Sequence, residues 1–295
     1  MTELARVAVV GAGRMGAAMV SRLVDAGHPV VVYNRTTAKA EQLGERLGVG
    51  VAATPREAAL NADVVVVSLA DDAAVRAAYR GPEGLVAGLA PGTVVADTST
   101  VDPATLQDLD ADVSAAGASL LDSPVSGSVA SVEAGSLLVM AGGPGGALDR
   151  ARPVLQTFSQ RIVHLGALGT GSTMKLVVNS MVHALNAALA EALVLAEKAG
   201  VDRSVAYEVV ASSAVAAPYV AYKRASFENP GDAPVAFALD LVAKDLDLAR
   251  ALADRVDAQM PQLVANRLLV QQAVDAGFGE ADLSALAVFL RGGRR

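Results

Sequence analysis

Gly11-Ala12-Gly13-Arg14-Met15-Gly16 is the first stretch of this chain whose residue types and spacing could do chemistry. It follows the apolar run Val7 to Val10 and opens a helical pattern from Met15 to Ala26 that Gly27 closes. At such a strand-to-helix turn the first glycine of G-x-G-x-x-G makes the bend, the second admits a pyrophosphate to the backbone, and the third lets helix and strand pack closely. The helix N-terminus then faces the phosphate charge. The chemistry is dinucleotide binding. Without the strand before it and the helix after it, the same pattern would be only a structural turn.

The next strand, Val30 to Tyr33, ends in Asn34-Arg35-Thr36. An Asp or Glu at this place would accept hydrogen bonds from the ribose 2′-hydroxyl of NAD and repel a 2′-phosphate. Arg35 instead offers a guanidinium fork for a phosphate, with Asn34 and Thr36 as neutral donors, and the expectation is NADP in preference to NAD. Ser68-Leu69 and Thr100 follow later strands, in loops that face the cofactor crevice in this architecture.

Hydride delivered to a carbonyl leaves negative charge on its oxygen, so such a site needs a placed proton donor. Lys175 stands in the first turns of a long apolar helical pattern, and Asn179 falls one turn later on the same face. Together they could hold one substrate oxygen, although on spacing alone Lys175 reads more readily as a solvated helix lysine. His183, a further turn on, reads as a packed or interfacial histidine. Ser126-Gly127-Ser128 could hold a carboxylate through small donors on a loop, or be a turn with no ligand. Lys244-Asp245 is, on its own, a helix surface pair.

Short apolar runs alternating with helical patterns must position these groups. Val7 to Val10, Val30 to Tyr33, Val64 to Val67, Val94 to Ala96 and Leu120-Leu121 read as strands apolar on both faces, hence a mostly parallel sheet covered on both sides. After Gly166-Ala167-Leu168-Gly169-Thr170-Gly171 no further strand is read. Helical patterns run over about 172–199, 204–213, 239–257 and 261–276. The predicted fold class is α/β: a doubly wound Rossmann-type domain over residues 1–165 and an all-helical domain over residues 166–295, beginning with a long helix.

Composition narrows the function classes. The chain has 295 residues, 53% of them hydrophobic and 19% charged, which excludes disorder. A net charge of −7 gives a nucleic-acid or anionic-membrane footprint no support. With no cysteine and three scattered histidines, no metal site is expected. Mean hydropathy is +0.40, but the longest apolar stretch, Met181 to Ala196, carries His183, Asn186 and Glu191 and reads as too polar to span lipid. The N-terminus enters the first strand without a basic region and an apolar block, so a soluble, cytoplasmic protein is expected.

Three further segments carry a resemblance. Asp122-Ser123-Pro124-Val125-Ser126-Gly127-Ser128 with Ala134-Gly135-Ser136-Leu137, Gly169-Thr170-Gly171-Ser172-Thr173-Met174-Lys175 with Asn179, and Phe237-x-Leu239 with Lys244-Asp245-Leu246 stand in order along the chain. Together with Gly11 to Gly16 they resemble the β-hydroxyacid dehydrogenase family, the relatives of 3-hydroxyisobutyrate dehydrogenase, over nearly the whole chain. Asn34-Arg35-Thr36 and Ser126-Gly127-Ser128 look most like the glyoxylate/succinic semialdehyde reductases of that family. Val129-Ala130-Ser131 departs from the basic residues that plant members carry there, which leaves the aldehyde acid open.

The resemblance implies an NADPH-dependent reductase, reversible as a dehydrogenase, acting on a short aldehyde acid or β-hydroxyacid. Lys175 would give the proton beside Asn179, and Ser126, Gly127 and Ser128 would anchor the substrate carboxylate. Phe237 would cover the substrate near Asp245, and Lys244 would reach the cofactor. A 3-hydroxyisobutyrate dehydrogenase, an imine reductase and a non-catalytic NADP-binding module are the alternatives. Lys175 favours carbonyl chemistry over the imine reductases, in which it is typically replaced, and the helical half is too short for a phosphogluconate dehydrogenase. The alanine-rich helix exposes more apolar surface than one slim domain needs, and a homodimer or homotetramer is expected.

Overall fold

Runs of valine bounded by Asp, Gly or Pro become strands because branched side chains fit a pleated surface buried on both faces. The computed structural model describes residues 4–230 and 234–293. The first of its two compact units runs to Lys175. Along it alternate β1 (Val7–Val10), α1 (Arg14–Asp25), β2 (Val30–Tyr33), α2 (Thr37–Leu47), β3 (Gly50–Val51), α3 (Pro55–Ala59), β4 (Val64–Val67), α4 (Asp72–Tyr79), β5 (Val94–Asp97), α5 (Pro103–Ala115) and β6 (Ser119–Asp122).

These strands form one parallel sheet in the order β3-β2-β1-β4-β5-β6. Alternate residues feed opposite faces. Val7 and Val9 pack with Met19 and Leu23 of α1, whereas Ala8 and Val10 pack with Tyr79, Leu106 and Leu109. Both faces are thus covered, as the uninterrupted apolar strands require. The strand order reverses between β1 and β4, the switch point where doubly wound sheets bind nucleotides at the carboxyl ends of their strands.

A second sheet was not legible in the sequence. It comprises β7 (Val125–Ser126), α6 (Val129–Glu133), β8 (Leu137–Ala141), α7 (Gly145–Leu155) and β9 (Ser159–His164), ordered β7-β8-β9. β7 is only two residues long, and in β9 Gln160, Arg161 and His164 are exposed, so neither presents the apolar run that marks a buried strand.

The first turn of α8 (Thr170–Lys198) packs with the first unit, which runs to Lys175. The Ser172 N–H donates to Asp122 Oδ2 at 2.6 Å. A Cβ on Gly171 would lie 2.4 Å from the Met140 carbonyl oxygen and 2.6 Å from that of Asp122. Residues that resemble a flexible joint are therefore pressed onto the ends of β6 and β8.

The second unit, from Leu176 onward, is helical among its described residues. It holds the rest of α8, α9 (Arg203–Ala211), α10 (Pro218–Glu228), α11 (Leu239–Arg255), α12 (Pro261–Ala273) and α13 (Leu286–Leu290), around a core that includes Leu193, Tyr207, Phe227 and Leu246. α10 escaped the sequence reading because its buried face, Tyr219, Val220, Lys223 and Phe227, is interrupted by a lysine. α8 corrects another expectation: by length and composition it is apolar enough to cross a membrane. In this fold Leu189, Leu193 and Val194 enter the core, and Asn186 donates to the Leu283 carbonyl and accepts from the Tyr219 hydroxyl. Those polar groups are matched to protein partners.

Candidate active site

The glycine turn joins β1 to α1 beside the end of β4. A Cβ on Gly11 would lie 2.2 Å from the Ser68 carbonyl oxygen, and one on Gly16 would lie 1.9 Å from the Gly11 carbonyl oxygen, so backbone packing alone demands both glycines. Gly13 differs. It is exposed, caps α1, and a Cβ there would meet nothing within 4 Å. The space in front of the first helical N–H groups is therefore open, and no acidic residue stands in the first turn of α1. These residues fit the pyrophosphate of a dinucleotide. Gly13→Ala is expected to keep stability within about 1 kcal/mol, the scale of a capping change, yet to weaken binding of the nicotinamide dinucleotide at least tenfold. Thermal melts and a fluorescence titration check both parts, and unchanged affinity refutes the role given to Gly13.

Around this turn the predicted cofactor residues separate by function. Asn34 braces the turn: its Oδ1 accepts from the Ala12 N–H at 2.9 Å, and its Nδ2 donates to the Thr36 carbonyl at 3.0 Å. That spends on the protein a group the sequence reading offered to the cofactor. Arg35 and Thr36 lie exposed where β2 ends, and Arg14 is exposed in the first turn of α1, with Met15 half-buried behind it. The loops after β4 and β5 are tied together, because the Leu69 N–H donates to Ser99 Oγ at 3.0 Å and the Thr98 hydroxyl donates to the Val67 carbonyl at 2.7 Å. Ser68 and Thr100 stand half-buried on these two loops.

Two buried carboxylates, which sequence reasoning gave no role, close neighbouring strands. Asp97 and Asp122 are register partners at the ends of β5 and β6. Burial raises the Asp97 carboxyl to about 6, against the donors of Ser99 and Tyr79, and the nearby Asp122 charge adds to the rise. Burial also raises Asp122, opposed by the N–H groups of Ser172 and Gly169 and by the Ser172 hydroxyl. An aspartate at the carboxyl end of an apolar strand is the signal that could have flagged both.

From Asp122 the chain turns through Pro124 into Val125-Ser126-Gly127-Ser128. Lys175, half-buried on α8, donates from Nζ to the Val125 carbonyl oxygen at 2.8 Å. The structure thereby brings the predicted proton donor onto the predicted substrate loop. Ser126 is half-buried, Gly127 exposed, and Ser128 caps α6, with its N–H donating to Ser131 Oγ at 3.1 Å.

In the second unit α8 and α11 assemble the other predicted residues. Asn179 donates from Nδ2 to Asp245 Oδ2 at 2.6 Å, and Lys244 Nζ lies 3.0 Å from Asp245 Oδ1. Lys244, which the resemblance sends to the cofactor, is here paired with its neighbour. His183 is buried with its ring stacked on Phe237 at 5.8 Å, its Nε2 3.8 Å from Asp245 Oδ2 and neither ring nitrogen hydrogen-bonded. It is thus a packed histidine, as expected. Phe237 is held by a buried pair that the sequence did not reveal. Asp282 accepts from the N–H groups of Ala236 and Phe237, and both of its carboxylate oxygens accept from the Lys223 ammonium, at 2.7 and 2.8 Å.

Comparison with known proteins identifies the family. The profile of the NAD-binding domain of 6-phosphogluconate dehydrogenase matches residues 6–166, and that described as the NAD-binding domain of NADP-dependent 3-hydroxyisobutyrate dehydrogenase matches residues 169–290. The chain is 34% identical to the 3-sulfolactaldehyde reductase of Escherichia coli, over 96% of this chain and 95% of that one. It is 33% identical to the chloroplastic glyoxylate/succinic semialdehyde reductase 2 of Arabidopsis thaliana, over 98% and 81%. The crystal structure of 3-hydroxyisobutyrate dehydrogenase from Salmonella typhimurium superposes with a TM-score of 0.89 at 28% identity, covering 97% of this chain and all of that one. With its glycine turn, its lysine-bearing helix and these full-length relatives, the chain belongs to the β-hydroxyacid dehydrogenase family of nicotinamide-dependent oxidoreductases.

Proposed function

We propose that the chain is an NADPH-dependent reductase of a short aldehyde acid, such as glyoxylate or succinic semialdehyde, that also runs as a hydroxyacid dehydrogenase. The observation that carries the reading is the 2.8 Å hydrogen bond from Lys175 to the Val125 carbonyl, which fixes a cationic proton donor on the Val125–Ser128 loop. The nicotinamide, when bound, supplies the hydride in reduction and receives it in oxidation. Lys175 gives its proton to the carbonyl oxygen as charge develops there, and in oxidation the neutral amine takes the hydroxyl proton. The Ser126 hydroxyl, the Gly127 backbone and Ser128 anchor the carboxylate. Asn179, one turn beyond Lys175 on α8, orients the same oxygen while Asp245 holds its amide.

The NADPH preference rests on Arg35, exposed where β2 ends and with no carboxylate in Asn34-Arg35-Thr36. Arg35→Glu is expected to raise KM for NADPH at least tenfold while changing KM for NADH little, measured with glyoxylate and succinic semialdehyde. Equal effects on the two cofactors overturn the assignment.

Self-association is part of the reading. Val177, Met181 and Leu195 are 43%, 70% and 71% exposed. With the exposed Ala188 and Ala192 they follow helical spacing along α8. Small residues among them permit close helix approach, and a homodimer or homotetramer covers the stripe. A monomeric mass by light scattering at micromolar concentration contradicts it.

A further inference from the structure

Among the groups outside the proposed chemistry, Asp122 has the most specific connections. Its backbone exchanges hydrogen bonds with Gly142 beyond the end of β8, N–H to carbonyl at 3.2 Å and carbonyl to N–H at 2.8 Å. Its carboxylate accepts the Ser172 N–H at 2.6 Å. Gly171 and Gly142 have no room for a side chain. A Cβ on Gly142 would sit 2.3 Å from Asp122 Oδ1, and one on Gly171 would crowd the Asp122 backbone. One side chain at the end of β6 therefore seats the N-terminus of α8, and it does so as an acceptor where helix N–H groups have no partner in their own helix.

Lys175 stands one turn beyond Ser172 on that helix, and its ammonium reaches the carbonyl of Val125, which follows Asp122 by three residues. The chain thus closes a ring: Asp122 to Ser172, Ser172 to Lys175 along α8, Lys175 to Val125, and Val125 back to Asp122 through Pro124. Two hydrogen bonds and two short covalent segments set where the ammonium lies. We propose that Asp122 is a positioning residue for Lys175: by anchoring the first turn of α8 it holds the ammonium on the Val125 carbonyl and hence on the substrate loop.

The inference rests on the proton-donor reading of Lys175, and the test separates the two. Asp122→Ala, Asp122→Asn and Lys175→Ala are compared with wild type for kcat against pH with succinic semialdehyde, and for NADPH affinity by fluorescence titration. Asp122→Ala is expected to lower kcat by about 10- to 100-fold, the scale of a small misplacement of a catalytic group, with NADPH affinity unchanged because the glycine turn is untouched. Asp122→Asn keeps the shape and one acceptor oxygen. It is expected to recover most of the rate while the limb of the pH profile that reports Lys175 is displaced. If the alanine variant does not fold, that displaced limb at constant NADPH affinity carries the test. Wild-type kcat and pH profile in an Asp122 variant, beside an inactive Lys175→Ala, overturn the positioning role alone. An asparagine variant as slow as alanine with an undisplaced profile also overturns it. Full activity in Lys175→Ala removes the reading beneath it, and both fall together.

Discussion

Lys175→Ala is expected to lower kcat for aldehyde reduction by about 10²- to 10⁴-fold, the range lost when a positioned general acid is removed, with NADPH affinity nearly unchanged. The alkoxide formed at the carbonyl carbon needs a proton at a defined place, and Lys175 is held by the Val125 carbonyl at the head of the Ser126–Ser128 loop. The glycine turn at Gly11–Gly16 lies elsewhere in the first unit and keeps its geometry. Lys175→Arg is expected to fail nearly as badly, because a guanidinium stays charged across the working pH range and gives up no proton. Stopped-flow absorbance of NADPH with a parallel fluorescence titration separates chemistry from binding. A kcat near wild type in either variant contradicts the proton-donor role.

Asp282→Ala is expected to destabilise the second unit by about 3–5 kcal/mol, the cost of leaving one partner of a buried ion pair uncompensated. The side chains of Lys223 and Asp282 are 3% and 8% exposed. The carboxylate also accepts from the N–H groups of Ala236, Phe237 and Ser284, so its loss strands backbone donors as well as the ammonium. Burial pushes the Asp282 carboxyl up, but the Lys223 ammonium and the Ser284 donors outweigh it and hold it below the ordinary carboxylate range. Its contribution is therefore present above the unfolded carboxylate pKa and is lost as pH falls through the lower folded value. Urea unfolding at neutral and acid pH measures this. The expected result is a deficit at neutral pH that shrinks in acid, and Lys223→Met combined with Asp282→Asn is expected to restore part of it. A loss below 1 kcal/mol for Asp282→Ala would show that the pair holds little of the fold.

The legible parts of this chain are those in which one short segment carries both a shape and a chemistry. Val7 to Val10 followed by Gly11, Gly13 and Gly16 announces strand, turn and helix together, and two of those glycines are sterically demanded where they stand. Lys175 and Asn179 were readable from helical spacing, and the resemblance supplied their roles. The small second sheet was hidden because β7 has two residues and β9 turns polar side chains to solvent. Glycines 169 and 171 look like a linker in the sequence, whereas at Gly171 the absence of a side chain allows α8 to press against β6. Asp122, Lys223 and Asp282 escaped for a different reason. Each acts through a partner distant in sequence, and no local period or motif records a contact between residues 122 and 172 or between 223 and 282. Asn34 shows the converse: its place at the end of the second strand was readable, but its brace on Ala12 was not.

Carbonyl reduction of a short aldehyde acid with NADPH and a proton from Lys175 is open to direct test. The most direct measurement follows NADPH, and separately NADH, by absorbance with glyoxylate, succinic semialdehyde, methylmalonate semialdehyde and a cyclic imine, running wild type beside Lys175→Ala. Wild type is expected to consume NADPH faster than NADH with at least one aldehyde acid, and Lys175→Ala to lose that activity. Turnover of the imine alone, or tight NADPH binding with no carbonyl reduced, would contradict this reading.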